Sequence, residues 1–258
     1  MESASKSKPT SKKSTANKPA AKKQTLPWRI WRFTKRLFLF MFLSSLFYVI
    51  LCKWVMPPIT LTQLSNSISY GLKRDYVSKA NISPNARLAA IASEDQLFPE
   101  HYGFDFQAIQ KSLTQKKKKK QKLPLGAAAS TITQQTAKNV FLWQGGGIWK
   151  YIRKIPEAYF TLLIELVWGK QRIMEVYLNT IEMGPGIFGI EAASQAYFNV
   201  PAKDLSRQQA AMIIACLPNP KKFTVIPQST RVAWRFPQIL REMHNLEEDE
   251  DVHAIVAP

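Results

Sequence analysis

From Leu37 to Cys52 the chain reads LFLFMFLSSLFYVILC, sixteen residues without a charge. A run this long and apolar has to be read first as a membrane segment. Trp54, Val55 and Met56 extend it past Lys53, whose aliphatic stem lets the ammonium snorkel to the interface. Leu37 to Met56 then supplies about the 20 residues that a bilayer span needs. Trp28, Trp31 and Trp54 stand at its ends, where interfacial aromatics are enriched. A cleaved signal peptide would have a shorter apolar core followed by a small-x-small site, and here Trp-Val-Met-Pro-Pro follows instead. The reading is an uncleaved anchor.

Charge orients it. The formal net charge is +18, of which residues 1–36 carry +10 from eleven Lys or Arg and one Glu. Lys116 to Lys120 with Lys122 add six more positive charges, leaving +2 for everything else. The basic flank lies before the anchor, so the N-terminus is expected in the cytoplasm and the chain after about residue 57 on the far side of the membrane. Residues 1–25 are Lys, Ser, Thr, Ala and Pro with almost no apolar content, and are expected to be disordered. A nearly neutral body excludes a broadly basic nucleic-acid surface. Cys52 in the span and Cys216 in an apolar helix exclude a disulfide framework and a thiolate zinc site. His101, His244 and His253 are too scattered for a histidine metal cluster.

The exported body reads as mainly α. Pro57 to Val77 is an extended-to-helical connector. Ser83 is a good N-cap with Pro84 at the first helical position, where its missing N–H costs nothing. Gln107 to Leu113 is helical, and the lysine block 116–122 is a solvated loop. Ser130 is expected to cap a helix over Thr131 to Phe141, with Gln134 and Lys138, and Thr131 and Gln135, in a polar stripe. After Gly145 to Gly147 a long helix runs over Trp149 to Trp168. Its spacing predicts that Ile155, Ala158, Tyr159, Leu162, Leu163, Leu166 and Val167 bury one face. Pro156 predicts a kink or restart beside Glu157. Gln171 to Asn179 buries Ile173, Met174, Tyr177 and Leu178, and Glu191 to Phe198 is a small-residue helix. Ser206 and Gln209 form a capping box. Ser229 to Leu246 makes the last helix, kinked by Pro237, and residues 247–258 are an acidic, frayed tail. No strand pattern of any length is visible.

One stretch carries chemistry. Leu88 to Asp105, LAAIASEDQLFPEHYGFD, is a small-residue helix that delivers Glu94 and Asp95 to its C-terminal end, where the dipole disfavours carboxylates. Acids placed against local preference point to function.

Read whole, Glu-Asp-x-x-Phe-x-x-His-x-Gly-Phe-Asp resembles the first signature of the peptidoglycan glycosyltransferases, the lysozyme-like domains that polymerise lipid II. STITQQTAKN resembles their second signature, RKIPE their third and RIMEVYLN their fourth. RVAWRFPQILREM from Arg231 is a weaker likeness of the fifth. With one N-terminal anchor, the arrangement is similar to the monofunctional biosynthetic transglycosylases.

The resemblance implies a domain over 57–246, between the anchor 37–56 and the tail 247–258. It implies that Glu94 is the base that takes a proton from the acceptor 4-hydroxyl, and that Glu157 is the second essential acid on the donor side, with Mg²⁺ as its candidate cofactor. Lys138, Arg153 and Lys154 match positions near the leaving pyrophosphate. Asp95, Ser130, Gln134 and Gln135 would hold donor and acceptor groups. The expected partners are lipid II, the growing glycan strand, membrane lipids and proteins of cell-wall synthesis or division. The expected location is the inner membrane with the catalytic domain periplasmic. The lysine loop could gather anionic headgroups near the bilayer.

Three departures stand in the donor region. Ala128 occupies a usual Gly position, Trp149 and Lys150 stand where an Arg is common, and Pro156 is atypical. Two other classes share features of this chain: a lysozyme-like hydrolase using Glu94 as acid, and a membrane-anchored scaffold without catalysis. The Lys/Arg-rich second acid site argues against the first, since glycan hydrolysis releases no pyrophosphate. The clustered polar motifs argue against the second.

Overall fold

A computed structural model describes residues 26–111, 130–145 and 147–257. The expected tail 1–25, the lysine loop 116–122 and Ala128 lie outside the described residues. The chain divides between Ser44 and Ser45 into two compact units. Helix α1, Leu26–Leu51, is long and apolar enough to cross a membrane. Its last turns belong to the second unit, so the compact body begins inside the expected anchor. Val49 and Cys52 are buried there. Trp168 Nε1 donates to the Val49 carbonyl at 2.8 Å, and the Arg172 guanidinium donates to the Cys52 carbonyl at 2.9 and 3.2 Å.

The connector is a working part of the body. Helix α2, Leu61–Tyr70, starts with a reciprocal capping box between Thr60 and Gln63, which satisfies two orphan N–H groups at once. It leads into β1, Lys73–Arg74, which pairs in parallel with β3, Ile187–Phe188. β3 in turn pairs antiparallel with β2, Glu182–Gly184. This small sheet of order β1-β3-β2 corrects the strand-free reading. Its strands are two or three residues long, below what alternation in a sequence can reveal.

Helix α3, Pro84–Glu94, has the expected cap, with Ser83 Oγ accepting from the Asn85 amide at 3.2 Å. Ala86, Ala89, Ala90 and Ile91 are fully buried, which lets α3 lie close against later helices. Residues 106–111 form a helical turn. Helix α4, Ile132–Phe141, is capped by Thr131 and not by Ser130: Thr131 Oγ1 accepts from the Gln134 amide and the Gln134 side chain returns the bond to the Thr131 amide. The motif S-T-I-T-Q holds two candidate caps, and only Thr131 has the Gln three residues on that completes a capping box.

A single turn, Trp149–Ile152, precedes helix α5, Lys154–Val167. The restart therefore falls at Arg153, before the expected break beside Glu157. Pro156 then occupies the first turn, where a missing N–H breaks no helical bond. The buried face of α5 is only partly the expected one: Leu163 and Val167 pack against the core, and Ala158 and Tyr159 are half-buried. Glu157, Thr161 and Ile164 point inward, while Ile155, Leu162 and Leu166 are 78%, 51% and 82% exposed. Helical spacing identifies a stripe but not the solvent it meets.

Helix α6, Lys170–Thr180, buries Ile173, Met174, Tyr177 and Leu178 as expected. Helix α7, Ile190–Phe198, follows the β2–β3 turn. Helix α8, Arg207–Ala215, opens on the Ser206–Gln209 capping box. Helix α9, Thr230–Asn245, carries Pro237 internally. α3, α8 and α9 pack together, and α4 packs on α5 and α6. The acidic tail is not frayed. Helix α10, Glu250–Val256, starts on an Asp249 cap and buries Val252, Ile255 and Val256. Those positions have helical spacing, and Arg87 Nη1 fixes the end by donating to the Ala257 carbonyl at 2.8 Å.

Candidate active site

The site begins where α3 stops. Glu94 is the last residue of α3 and Asp95 its C-cap, so both acids face the negative end of the dipole. Glu94 Oε2 accepts a hydrogen bond from Gln135 Nε2 of α4 at 2.8 Å. Burial raises the Glu94 carboxyl above the ordinary range, and the Gln135 bond with the charges of Arg235 and Lys138 offsets only part of this. A carboxylate made more basic is what a general base requires.

Asp95 is held differently. Its Oδ1 bonds His101 Nε2 at 2.9 Å and its Oδ2 accepts from the Ile132 amide at 2.9 Å. The Gly103 amide donates to His101 Nδ1 at 3.2 Å. That makes Nδ1 an acceptor, so Nε2 carries the proton offered to Asp95. Both Asp95 oxygens are thus occupied by the protein itself. Gln134 likewise turns its amide oxygen back to the Thr131 N–H, at 3.2 Å. Ser130 sits half-buried just before this cap.

The start of α5 supplies the second group. Lys154 Nζ lies 2.5 Å from Glu157 Oε1, and Arg153 Nε lies 3.5 Å from Glu157 Oε2. Arg153 is fixed from its other side by Nη1 donating to the Trp143 carbonyl at 2.8 Å. Glu157 is 2% exposed, and among the described residues neither its Oε2 nor Arg153 Nε completes a hydrogen bond. Lys138, one turn beyond Gln135 on α4, links the two groups. Burial lowers its pKa; Arg153 and Lys154 press the same way, while Glu157 and Glu94 oppose them.

The fold thereby brings Glu94, Gln135, Lys138, Arg153, Lys154 and Glu157 into one region. A proton acceptor stands at one end and a cationic cluster at the other. Two neighbours of Glu94 carried no signal strong enough to assign. Arg235 of α9, inside the weakest of the five motifs, donates to Gln238 Oε1 at 3.1 Å and reaches the Ser93 carbonyl at 3.5 Å. Tyr177 reads as an ordinary core position, yet its buried hydroxyl has no hydrogen-bond partner among the described residues and feels the Glu94 charge.

The sequence from residue 61 to 244 matches the Transglycosylase family. The chain belongs to the transglycosylase family. A biosynthetic peptidoglycan transglycosylase of Bdellovibrio bacteriovorus is 46% identical over 212 residues, covering 80% of this chain and 82% of that protein. One from Escherichia coli is 48% identical over 183 residues, covering 71% and 73%. One from Bacteroides thetaiotaomicron is 44% identical over 223 residues, covering 84% and 87%. This transglycosylase is accordingly a glycosyl-transferring enzyme, with a mainly helical, lysozyme-like domain.

The resemblance gave Glu157 a role through Mg²⁺. Magnesium takes octahedral oxygen ligands, usually one or two carboxylates with waters and phosphates. Both oxygens of Glu157 face cations, and among the described residues no three His, Cys, Asp or Glu converge. The residues present suit an anionic group and do not fit a resident divalent cation.

Proposed function

We propose that the enzyme polymerises lipid II into β-1,4-linked peptidoglycan strands. The acceptor 4-hydroxyl attacks C1 of the donor sugar from the face opposite the leaving group, giving inversion. Glu94 takes the hydroxyl proton as the new C–O bond forms. The C1–oxygen bond to undecaprenyl pyrophosphate breaks, and the leaving oxygens gain negative charge. Lys138, Arg153 and Lys154 meet that charge without metal. Preorganised cations of this kind act where charge develops and need no rearrangement at the moment of reaction. Glu157 keeps Arg153 and Lys154 in place in the first turn of α5.

The observation that carries this reading is that Gln135, which holds the carboxylate Glu94, and the half-buried Lys138 stand one turn apart on α4, with Lys138 near enough to Arg153, Lys154 and Glu157 to interact with all three. A hydrolase acting on finished glycan needs the carboxylate and has no use for the cluster. The relatives' names add that those proteins act in peptidoglycan synthesis.

The membrane setting belongs to the same proposal. The α1 segment anchors the enzyme in the inner membrane, with its N-terminus cytoplasmic and the catalytic body periplasmic. Ser45 Oγ and Tyr159 Oη are 2.8 Å apart, so the end of α1 runs beside α5. The exposed Ile155, Leu162 and Leu166 on α5 then suit contact with lipid, and the substrate enters laterally from the leaflet. Glycan strand and cell-wall synthesis or division proteins complete the proposed partners. Incubating the full-length protein with lipid II and, separately, with purified glycan strands tests the reading. Polymer from lipid II with intact strands is expected; strand cleavage without polymer overturns it.

A further inference from the structure

Beneath the loop that follows Glu94 lies an ion pair that none of the site chemistry uses. Glu165 sits two turns beyond Glu157 on α5, and its side chain is nearly buried. Its Oε1 accepts from Thr133 Oγ1 of α4 at 2.6 Å and from Lys170 Nζ of α6 at 2.8 Å. Lys170 also donates to the His101 carbonyl, and its ammonium lies 4.6 Å from the centre of the Phe98 ring.

The loop is closed over this pair with little slack. Gly103 adopts φ +81°, and a Cβ there would fall 2.6 Å from Thr161 Cγ2 and 3.1 Å from Glu165 Cγ. The Gly103 carbonyl accepts from Thr131 Oγ1 at 2.7 Å. His101 and Asp95 then pass the connection on to the first amide of α4. Residues 95–103 are in this way bonded to the start of α4 and to Lys170 of α6 and packed on α5, where Glu165 joins α4 to α6.

We propose that Glu165 and Lys170 are positioning residues, which set the base Glu94 and its donor Gln135 at a fixed distance from the cation cluster. A buried ion pair is weak grounds for stability, because apolar side chains of similar volume often do as well. Glu165 binds α4, which carries the donor Gln135, and Lys170 binds the loop that leaves the base. Thr133 precedes Gln135 by two residues on α4, and His101 lies in the loop that leaves Glu94. Glu165 shares the inward face of α5 with Glu157, at i+8, so one rigid helix spans both ends of the site. Misplacing a reacting group by an ångström costs about 100-fold in rate. A pair that touches no substrate can matter through that sensitivity alone.

The inference rests on the proposed polymerisation for its kinetic arm, and hydrogen exchange tests it separately. Thr133→Val removes one 2.6 Å bond and little volume; Glu165→Gln and Lys170→Met remove the charges; Lys170→Arg is the rescue variant. Each is assayed in the full-length protein, well below its own Tm, beside Ile173→Val as a core substitution outside the network. Expected are a fall in kcat of about 10- to 100-fold in Glu165→Gln and Lys170→Met, with KM nearly unchanged. Thr133→Val loses less and Lys170→Arg recovers most of the rate. Amide exchange should quicken at 95–103 and 131–135 in Thr133→Val, and not in Ile173→Val. Normal kcat with unchanged exchange in Thr133→Val overturns the proposal, even if the charge variants fail to fold. So does an equal loss of kcat in Ile173→Val. A wild type that makes no polymer fails the proposed function, and exchange alone then decides the positioning pair.

Discussion

Glu94 and Glu157 are the same side chain placed at opposite ends of two helices. Glu94 closes α3, against the negative end of the dipole, with an amide as its hydrogen-bond donor. Glu157 opens α5, at the positive end, between Lys154 and Arg153. Both are removed from much of the solvent, and the outcome differs because the neighbours differ. Burial with few compensating charges makes Glu94 a better proton acceptor. Burial among cations makes Glu157 a counter-ion that organises a cluster. Position on a helix adds to this contrast, since a carboxylate is disfavoured at the C-terminal end of α3 and favoured at the N-terminal end of α5.

The largest effect expected from this contrast is on rate. Glu94→Gln keeps the shape and loses the proton acceptor, so polymerisation should fall roughly 100- to 10,000-fold. The same substitution should leave the fold as stable or more so at neutral pH. Folding raises the Glu94 pKa, so its contribution to stability is present at acid pH and is lost as pH rises through the raised value. The amide removes that penalty. Initial rates on lipid II with thermal melts in parallel check both halves. A large drop in Tm would place Glu94 with Glu157 and erase the contrast.

Glu157→Gln should do the reverse on stability. Removing one member of a buried pair costs about 3–5 kcal/mol, and the low end applies because the Lys154 side chain is 34% exposed. With roughly 2–4 °C per kcal/mol for a domain of this size, a fall in Tm of about 6–12 °C is expected, together with a lost rate. A variant that melts like wild type would mean that Arg153 and Lys154 do not depend on it.

The smallest effect is a shift in pH dependence. Activity should fall on the acid side at a pH above the ordinary carboxylate range, as Glu94 takes up its proton. It should fall on the basic side below the ordinary lysine range, as Lys138 loses its charge. Lys138→Arg should move the basic limb upward and leave the acid limb in place. A basic limb indifferent to that substitution would assign it to another group.

Much of this was legible in advance. Ser83, the Ser206–Gln209 box and the core positions of α6 depend on residues within four places of one another, and a sequence displays such spacing directly. Gln135 was singled out, but its bond to Glu94 was not, because it spans 41 residues of chain. Arg235 and Tyr177 reach Glu94 from still further away. The outward apolar stripe of α5 failed for another reason: spacing reveals a stripe and says nothing of what it meets. The tail helix α10 was hidden by its acidic start, which is also what a helix N-terminus favours.

By itself the sequence determined the long apolar N-terminal helix, most of the helix caps and the set of acids, amides and cations available for chemistry. Those follow from composition and short-range spacing. Only the tertiary structure decided that Glu94 is raised in pKa while Glu157 is ringed by cations, that Asp95 is committed to His101 and α4, and that Glu165 joins three helices under the loop. Burial and Coulomb interactions depend on distance in space, and α3, α4, α5 and α9 meet only after the chain has folded.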